Sequence, residues 1–134
     1  PISSLFKLPL KSSDKILDVG SGSGKFVYDL RELGFSNSIG IDPFLEDEIH
    51  YSNGATIFKK SINEVTEKFD LITFNHTFEH MENLNDAFKC IYSLLKRKGT
   101  CIIRIPNIDS FSFKRFKQNW TGIHAPYHLN LPSY

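Results

Sequence analysis

Two carboxylates and a run of alternate glycines are the residues in this chain whose types and spacing do chemistry. Ile16-Leu17-Asp18-Val19 is a short apolar stretch carrying an acid, and Gly20, Gly22 and Gly24 follow it with Ser21 and Ser23 between them. This is the pattern of a strand feeding a bare-backbone turn at a helix N-terminus. Glycine lets the main chain turn sharply and has no Cβ to hold a ligand away. The first N–H groups of the following helix then face whatever binds. Such a loop cradles a nucleotide-like cofactor.

The acids narrow the choice. Dinucleotide-binding loops run G-x-G-x-x-G and seat a pyrophosphate on the helix N-terminus. Here the spacing is G-x-G-x-G, and Asp18 lies two residues before the first glycine. A carboxylate there repels a pyrophosphate and attracts an ammonium. S-adenosylmethionine has no phosphate but carries an α-amino group and a sulfonium, so Asp18, Gly20, Ser21 and Gly22 suit it better than NAD. A second acid follows at the end of Ser38-Ile39-Gly40-Ile41-Asp42, another short apolar run. An acid about 20 residues past the glycine turn reaches vicinal ribose hydroxyls, whose two donors match two carboxylate oxygens. The alternative for Asp42 is a cap or turn residue ahead of Pro43.

On these residues the chain resembles the class I S-adenosylmethionine-dependent methyltransferases. Ile16–Gly24 is similar to their first motif and Ile39–Asp42 to their ribose-binding acid. Phe69–Met81, with its Glu79-His80 pair, resembles the fourth strand and Glu-His segment of the small-molecule branch that acts on quinones and sugars. Leu94–Gly99 and Thr100–Asn107 resemble its helix-to-fifth-strand passage. The resemblance implies a Rossmann-like, doubly wound, mainly parallel α/β sheet, S-adenosylmethionine as cofactor, and methyl transfer to a small-molecule acceptor, expected at oxygen. It also places Ser61 and Ile62 beside the adenine and Asn75 near the methionine part. Ile62 reads equally as a core residue of the turn that follows it, and Asn75 as a turn former.

Histidines are the candidates for moving a proton. If the stretch after the fourth strand is helical, His76 and His80 share one face four residues apart. That spacing would also suit two metal ligands, but no third ligand stands out and no metal is expected. For Glu79-His80 the preferred reading is a helix-start network, with His80 packed under the strand ends. Further on, Trp120-Thr121-Gly122-Ile123-His124-Ala125-Pro126-Tyr127-His128-Leu129 is similar to the segment after strand five in the same branch. His128 joins His76 as a candidate base, with Trp120 and Tyr127 walling the acceptor; the alternative is that these aromatics cover the sheet edge.

The elements that must position these groups alternate strand and helix, the pattern of a parallel sheet covered on both faces. Strands are expected at Lys15–Val19, Ser38–Ile41, Ala55–Lys59, Leu71–Phe74 and Cys101–Ile105. The first helix carries Phe26, Leu30 and Leu33 on one face and ends at Gly34. A short acidic helix or turn is expected near Phe44–Ile49, and a weak helical turn at Ile62–Thr66. The clearest helix runs from Leu84 to Lys96, with Leu84, Ala87, Phe88, Ile91, Leu94 and Leu95 as its apolar stripe. Lys96, Arg97 and Lys98 complement the dipole of its last turn, before Gly99 stops it. Phe111–Lys117 reads as an amphipathic helix with a solvated basic face.

Composition sets the limits. A chain of 134 residues with 40% hydrophobic and 23% charged residues is one ordinary globular domain. Residues 1–14 form its lead-in, 15–107 its core and 108–134 a substrate-side tail. A net charge of +1 leaves no electrostatic footprint for nucleic acid. No apolar run approaches a membrane span. Cys90 and Cys101 have no metal or redox spacing, which suits a reducing, cytoplasmic setting. The family implies a further helix and a closing antiparallel strand pair beyond the fifth strand, and nothing after Asn107 makes a convincing hairpin. A shortened chain is therefore expected, with the fifth-strand edge bare and open to a second copy of the chain. Two rivals remain: a non-catalytic S-adenosylmethionine-binding module or inactive fragment, and an NAD-linked oxidoreductase.

Overall fold

The computed structural model describes residue 5, residues 8–107 and residues 109–117. Among these, six strands form one sheet: β1 (Ile16–Val19), β2 (Ser38–Ile41), β3 (Ile49–His50), β4 (Thr56–Phe58), β5 (Phe69–Asn75) and β6 (Leu95–Arg104). Their order is β3-β4-β2-β1-β5-β6, parallel throughout except for the antiparallel pair β3–β4. From β1 the chain builds outward through β2 and β4 on one side, then crosses to β5 and β6 on the other. The switch point therefore lies between the carboxyl ends of β1 and β5, where Asp18 pairs with Thr73 and Val19 with Phe74.

Helices α1 (Lys25–Glu32) and α2 (Leu84–Leu94) cover opposite faces, as alternation along the strands dictates. Ile16 and Leu71 point to the α1 side and pack with Leu30. Leu17, Val19, Ile72 and Phe74 point the other way and pack with Ala87, Ile91 and Leu94 of α2. All four residues of β1 are buried, as a central parallel strand requires. The expected doubly wound, Rossmann-like architecture is thus the one observed.

Several local expectations fail, two of them for a tertiary reason. The acidic stretch near Phe44–Ile49 forms no helix; Ile49–His50 adds a sixth, antiparallel strand, with Ile49 opposite Ile57. An Asn53-Gly54 turn closes that hairpin, Gly54 taking φ 83°. The second helix stops at Leu94, because Leu95 pairs with Phe69 and enters the sheet. Lys96–Gly99 then bulge against Asp70 before Thr100 pairs with Leu71, and Lys96 is an ion partner of Asp70 at 2.6 Å instead of a dipole complement. A Cβ on Gly99 would sit 3.0 Å from Leu95 Cδ2, Lys96 O and Phe69 O, so close approach in the bulge calls for glycine. In α1 the apolar face is Val27 and Leu30 with Phe26 half-buried, while Leu33 is half-exposed at the C-cap. Gly34 does close that helix, at φ 90° with its N–H on Arg31 O. Helix α3 (Phe111–Phe116) stands where the amphipathic segment was expected.

Candidate functional site

The glycine run is a tight turn at the mouth of β1. Gly20, Gly22 and Gly24 take φ of 71°, 52° and 77°, values that other residues adopt only under strain. The Gly20 and Ser21 N–H groups donate to Ile41 O at 2.8 and 3.1 Å, fastening the turn to the end of β2. Ser21 Oγ closes it from within, donating to Asp18 O at 2.8 Å. Contact from the segment after β5 is equally tight: a Cβ on Gly20 would fall 2.2 Å from Thr77 Cγ2.

Asp18 lies under this turn with 2% of its surface exposed. Its Oδ1 accepts from Thr73 Oγ1 at 2.7 Å and from Asn75 Nδ2 at 2.9 Å. Arg104 Nη1 donates to Asn75 Oδ1 at 2.7 Å, so the amide relays between a cation and the carboxylate. Burial pushes the Asp18 carboxyl above its ordinary value; the bonds from Thr73 and Asn75 and the Arg104 charge oppose that without cancelling it. Asp42, one strand over, is bound by backbone on both oxygens. Gly22 N–H donates to Oδ2 and Phe44 N–H to Oδ1, each at 2.9 Å. The turn role foreseen as the alternative is therefore present, and Asp42 lines the cleft as well.

Two clefts flank the turn and meet at Gly20. The first, about 410 Å³, brings together Gly20, Asp42, Ser61, Ile62 and His76, with Phe44, Thr77, His80 and Met81 around them. The second, about 350 Å³, brings together Asp18, Gly20, Ser21 and Asn75 with Lys25, Phe26 and Asp29. Gly22 lines neither, its N–H being spent on Asp42. Ser61 is a capping-box residue whose N–H and hydroxyl both donate to Glu64 Oε2, at 2.7 and 2.9 Å. The Ser61 bonds hold the Glu64 carboxyl below its usual range. Ile62 is a core residue that also contributes to the cleft wall.

The histidine pair departs from expectation. His76 takes φ 58° in a bend, and only Phe78–His80 form a turn of 3-10 helix, so no shared helical face exists. Glu79, not His80, is the buried member; His80 is exposed. Both histidines nevertheless line the first cleft. The His76 side chain is 72% exposed, its Nδ1 3.6 Å from Glu79 Oε1. A left-handed non-glycine residue at a cleft mouth stores strain of a kind that collects at functional sites. No group of three or more metal-ligating side chains occurs among the described residues. His128, Trp120 and Tyr127 lie outside them. Thr73, Thr77 and Arg104 were missed in the sequence; the one visible signal was a lone arginine within the apolar run Ile102–Ile105.

A family model identifies the family, and solved structures share the fold. A family model described as a methyltransferase domain matches residues 2–133. The mitochondrial ubiquinone biosynthesis O-methyltransferase of Rattus norvegicus is 33% identical over 116 residues, covering 76% of this chain and 33% of that protein. The Homo sapiens protein of the same name is 31% identical over 113 residues, covering 74% and 30%. The chain thus spans about a third of the length of these relatives. Among solved structures, the plantazolicin methyltransferase BpumL, in complex with a monoazolic desmethylPZN analog and SAH, superposes with a TM-score of 0.72 at 20% identity, covering 96% of this chain and 54% of that one. Coclaurine N-methyltransferase bound to N-methylheliamine and SAH gives 0.62 at 16% identity, covering 76% and 33%.

Proposed function

Because this chain belongs to the methyltransferase-domain family, we propose that it binds S-adenosylmethionine across the two clefts and moves its methyl group to a small-molecule acceptor, at oxygen. The observation that carries the reading is a pair of carboxylates, Asp18 and Asp42, on either side of one glycine turn at the switch point. Asp42 receives the ribose hydroxyls, trading the Gly22 N–H for them. Ser61 and Ile62 border the adenine, Ile62 by packing and Ser61 through its backbone. Asp18 and Asn75, with Gly20 and Ser21, hold the methionine end, where a buried carboxylate suits an ammonium and repels a pyrophosphate. The relatives are ubiquinone biosynthesis O-methyltransferases by name, which supports an oxygen acceptor.

The chemistry is in-line displacement at carbon: the acceptor oxygen bonds to the methyl carbon as the carbon–sulfur bond breaks, leaving a neutral thioether. Alignment and exclusion of water supply much of the rate. The acceptor's hydroxyl proton must leave, and His76, which lines the first cleft, takes it in this reading; His128 is the other candidate, on the tail. Residues 1–134 act as one domain, with 108–134 as its substrate-side tail. The acceptor is neither nucleic acid nor lipid surface, in line with the net charge of +1. No helix among the described residues is long and apolar enough to cross a membrane. We assign the protein to the cytoplasm on its free Cys90 and Cys101, the latter with its thiol pushed up to about 11 by burial. A second copy pairs along β6, the last strand of the described sheet.

Calorimetric titration with S-adenosylmethionine, S-adenosylhomocysteine and NAD tests the cofactor. Micromolar binding of the first two, lost in Asp42→Ala and absent for NAD, is the expected result. NAD binding by the folded chain would sink the reading. Transfer of a labelled methyl group to phenolic acceptors, reduced in His76→Ala at unchanged cofactor affinity, is the expected catalytic result.

A further inference from the structure

The second cleft holds a charge arrangement that the cofactor reading above does not use. Asp18 forms its floor, and Lys25 stands at its mouth with 76% of the side chain exposed. Lys25 is the first residue of α1, and the first turn of that helix contains no acid. A cation there opposes the helix dipole. Among the described residues its ion partner is Asp29, four residues on, with Lys25 Nζ 2.6 Å from Asp29 Oδ2. That pair runs lysine first and acid second, the weaker of the two orientations on a helix. Helix stability therefore gives little reason for lysine at this position. An anion arriving at the cleft mouth gives a direct one.

We propose that Lys25 is the specificity residue for the α-carboxylate of the cofactor's amino-acid end, opposite Asp18, which takes the α-ammonium. This rests on the S-adenosylmethionine reading and adds to it a residue that neither the motif nor the glycine turn supplies. The cleft then recognises a zwitterion by opposite charges at different depths: Asp18 at the floor and, at the rim, Lys25 once the carboxylate has displaced Asp29, which lines the same cleft. Asp29 holds the lysine side chain over the cleft until the carboxylate takes its place. Such an exposed i,i+4 pair is weak, so the exchange costs little.

The test compares S-adenosylhomocysteine with 5′-methylthioadenosine, which has the same nucleoside and thioether but no amino-acid end. Both are titrated calorimetrically into the full chain, wild type and Lys25→Met. The substitution keeps the apolar stem and removes the charge. Expected is about a tenfold weaker affinity for S-adenosylhomocysteine, as for loss of one exposed charge-assisted contact, with 5′-methylthioadenosine within twofold of wild type. Lys25→Glu should weaken the first ligand further and still spare the second. Removing a cation would by itself favour the ammonium, so a selective loss traces to the carboxylate. Equal weakening of both ligands, or none of either, overturns the assignment. Wild type that binds neither ligand overturns the cofactor reading with it, whereas wild type that binds S-adenosylhomocysteine no better than Lys25→Met overturns the role of Lys25 alone.

Discussion

The two ends of the parallel sheet use the same residue type in opposite ways. At the carboxyl end Asp18 is buried among neutral donors, Thr73 and Asn75, and the Arg104 cation reaches it through the Asn75 amide. At the amino end Asp70 takes the Lys96 ammonium at 2.6 Å and the Lys15 N–H at 2.8 Å on one oxygen. Burial works to raise the Asp70 carboxyl, but those two bonds and the Lys96 charge outweigh it, so it lies below its ordinary value. The Asp18 carboxyl lies above. One acid is paired with a cation and fastens β5 to β6; the other sits beside a cleft, where burial disfavours its charged form. The difference separates a structural carboxylate from one that fits a cationic ligand.

Breaking the carboxyl end sterically should have the largest effect. Gly20→Ala combines a left-handed backbone with a Cβ 2.2 Å from Thr77, and should lower stability by about 3 kcal/mol, read by urea unfolding. Next is Asp18→Asn, which should weaken S-adenosylhomocysteine binding about 100-fold. The sign for stability is opposite. A raised carboxyl binds its proton more tightly in the native state, so wild-type stability falls as pH climbs from the ordinary value of 3.8 through the raised one. The ligand-free variant should therefore melt above wild type at pH 7, with the gap closing in acid. A variant that melts lower at pH 7 would erase the contrast between the two ends.

At the amino end, Asp70→Asn should cost about 1–2 kcal/mol at neutral pH through the lost charged hydrogen bonds, and leave cofactor affinity unchanged. Because the Asp70 carboxyl is lowered, that stability is present above pH 3.8 and disappears as pH falls through the native value. Wild type and variant should converge there. Loss of cofactor affinity in Asp70→Asn would show that the two ends are coupled. The smallest effect is expected of Gly22→Ala: φ is 52°, but no atom lies within 4 Å of the added Cβ, so about 1 kcal/mol of backbone strain is all it should cost.

The glycine turn and both acids were legible in the sequence because their chemistry is local. A bare turn needs glycine wherever it sits, and an acid at the end of a buried run has few other uses. The helix through Lys96 was misread because local pattern favours a basic last turn, while the sheet recruits Leu95 opposite Phe69 and Asp70 claims Lys96. The Ile49–His50 strand was hidden by the acids before it; only its pairing with β4 makes two residues a strand. His76 and His80 looked like a helical pair since spacing was the only guide, and the bend at His76 breaks it.

The alternation of strand and helix, the glycine turn, the two carboxylates and the family follow from the chain itself, since each rests on residues close in sequence. Which groups meet was decided by the sheet. Thr73, Asn75 and Arg104 reach Asp18 from strands 55 or more residues away along the chain, and Thr77 closes on Gly20 across 57. Lys25 enters a cleft with Asn75 only because β1 and β5 run side by side at the switch point. Contacts of that separation depend on register and packing, which no local pattern of residue types encodes.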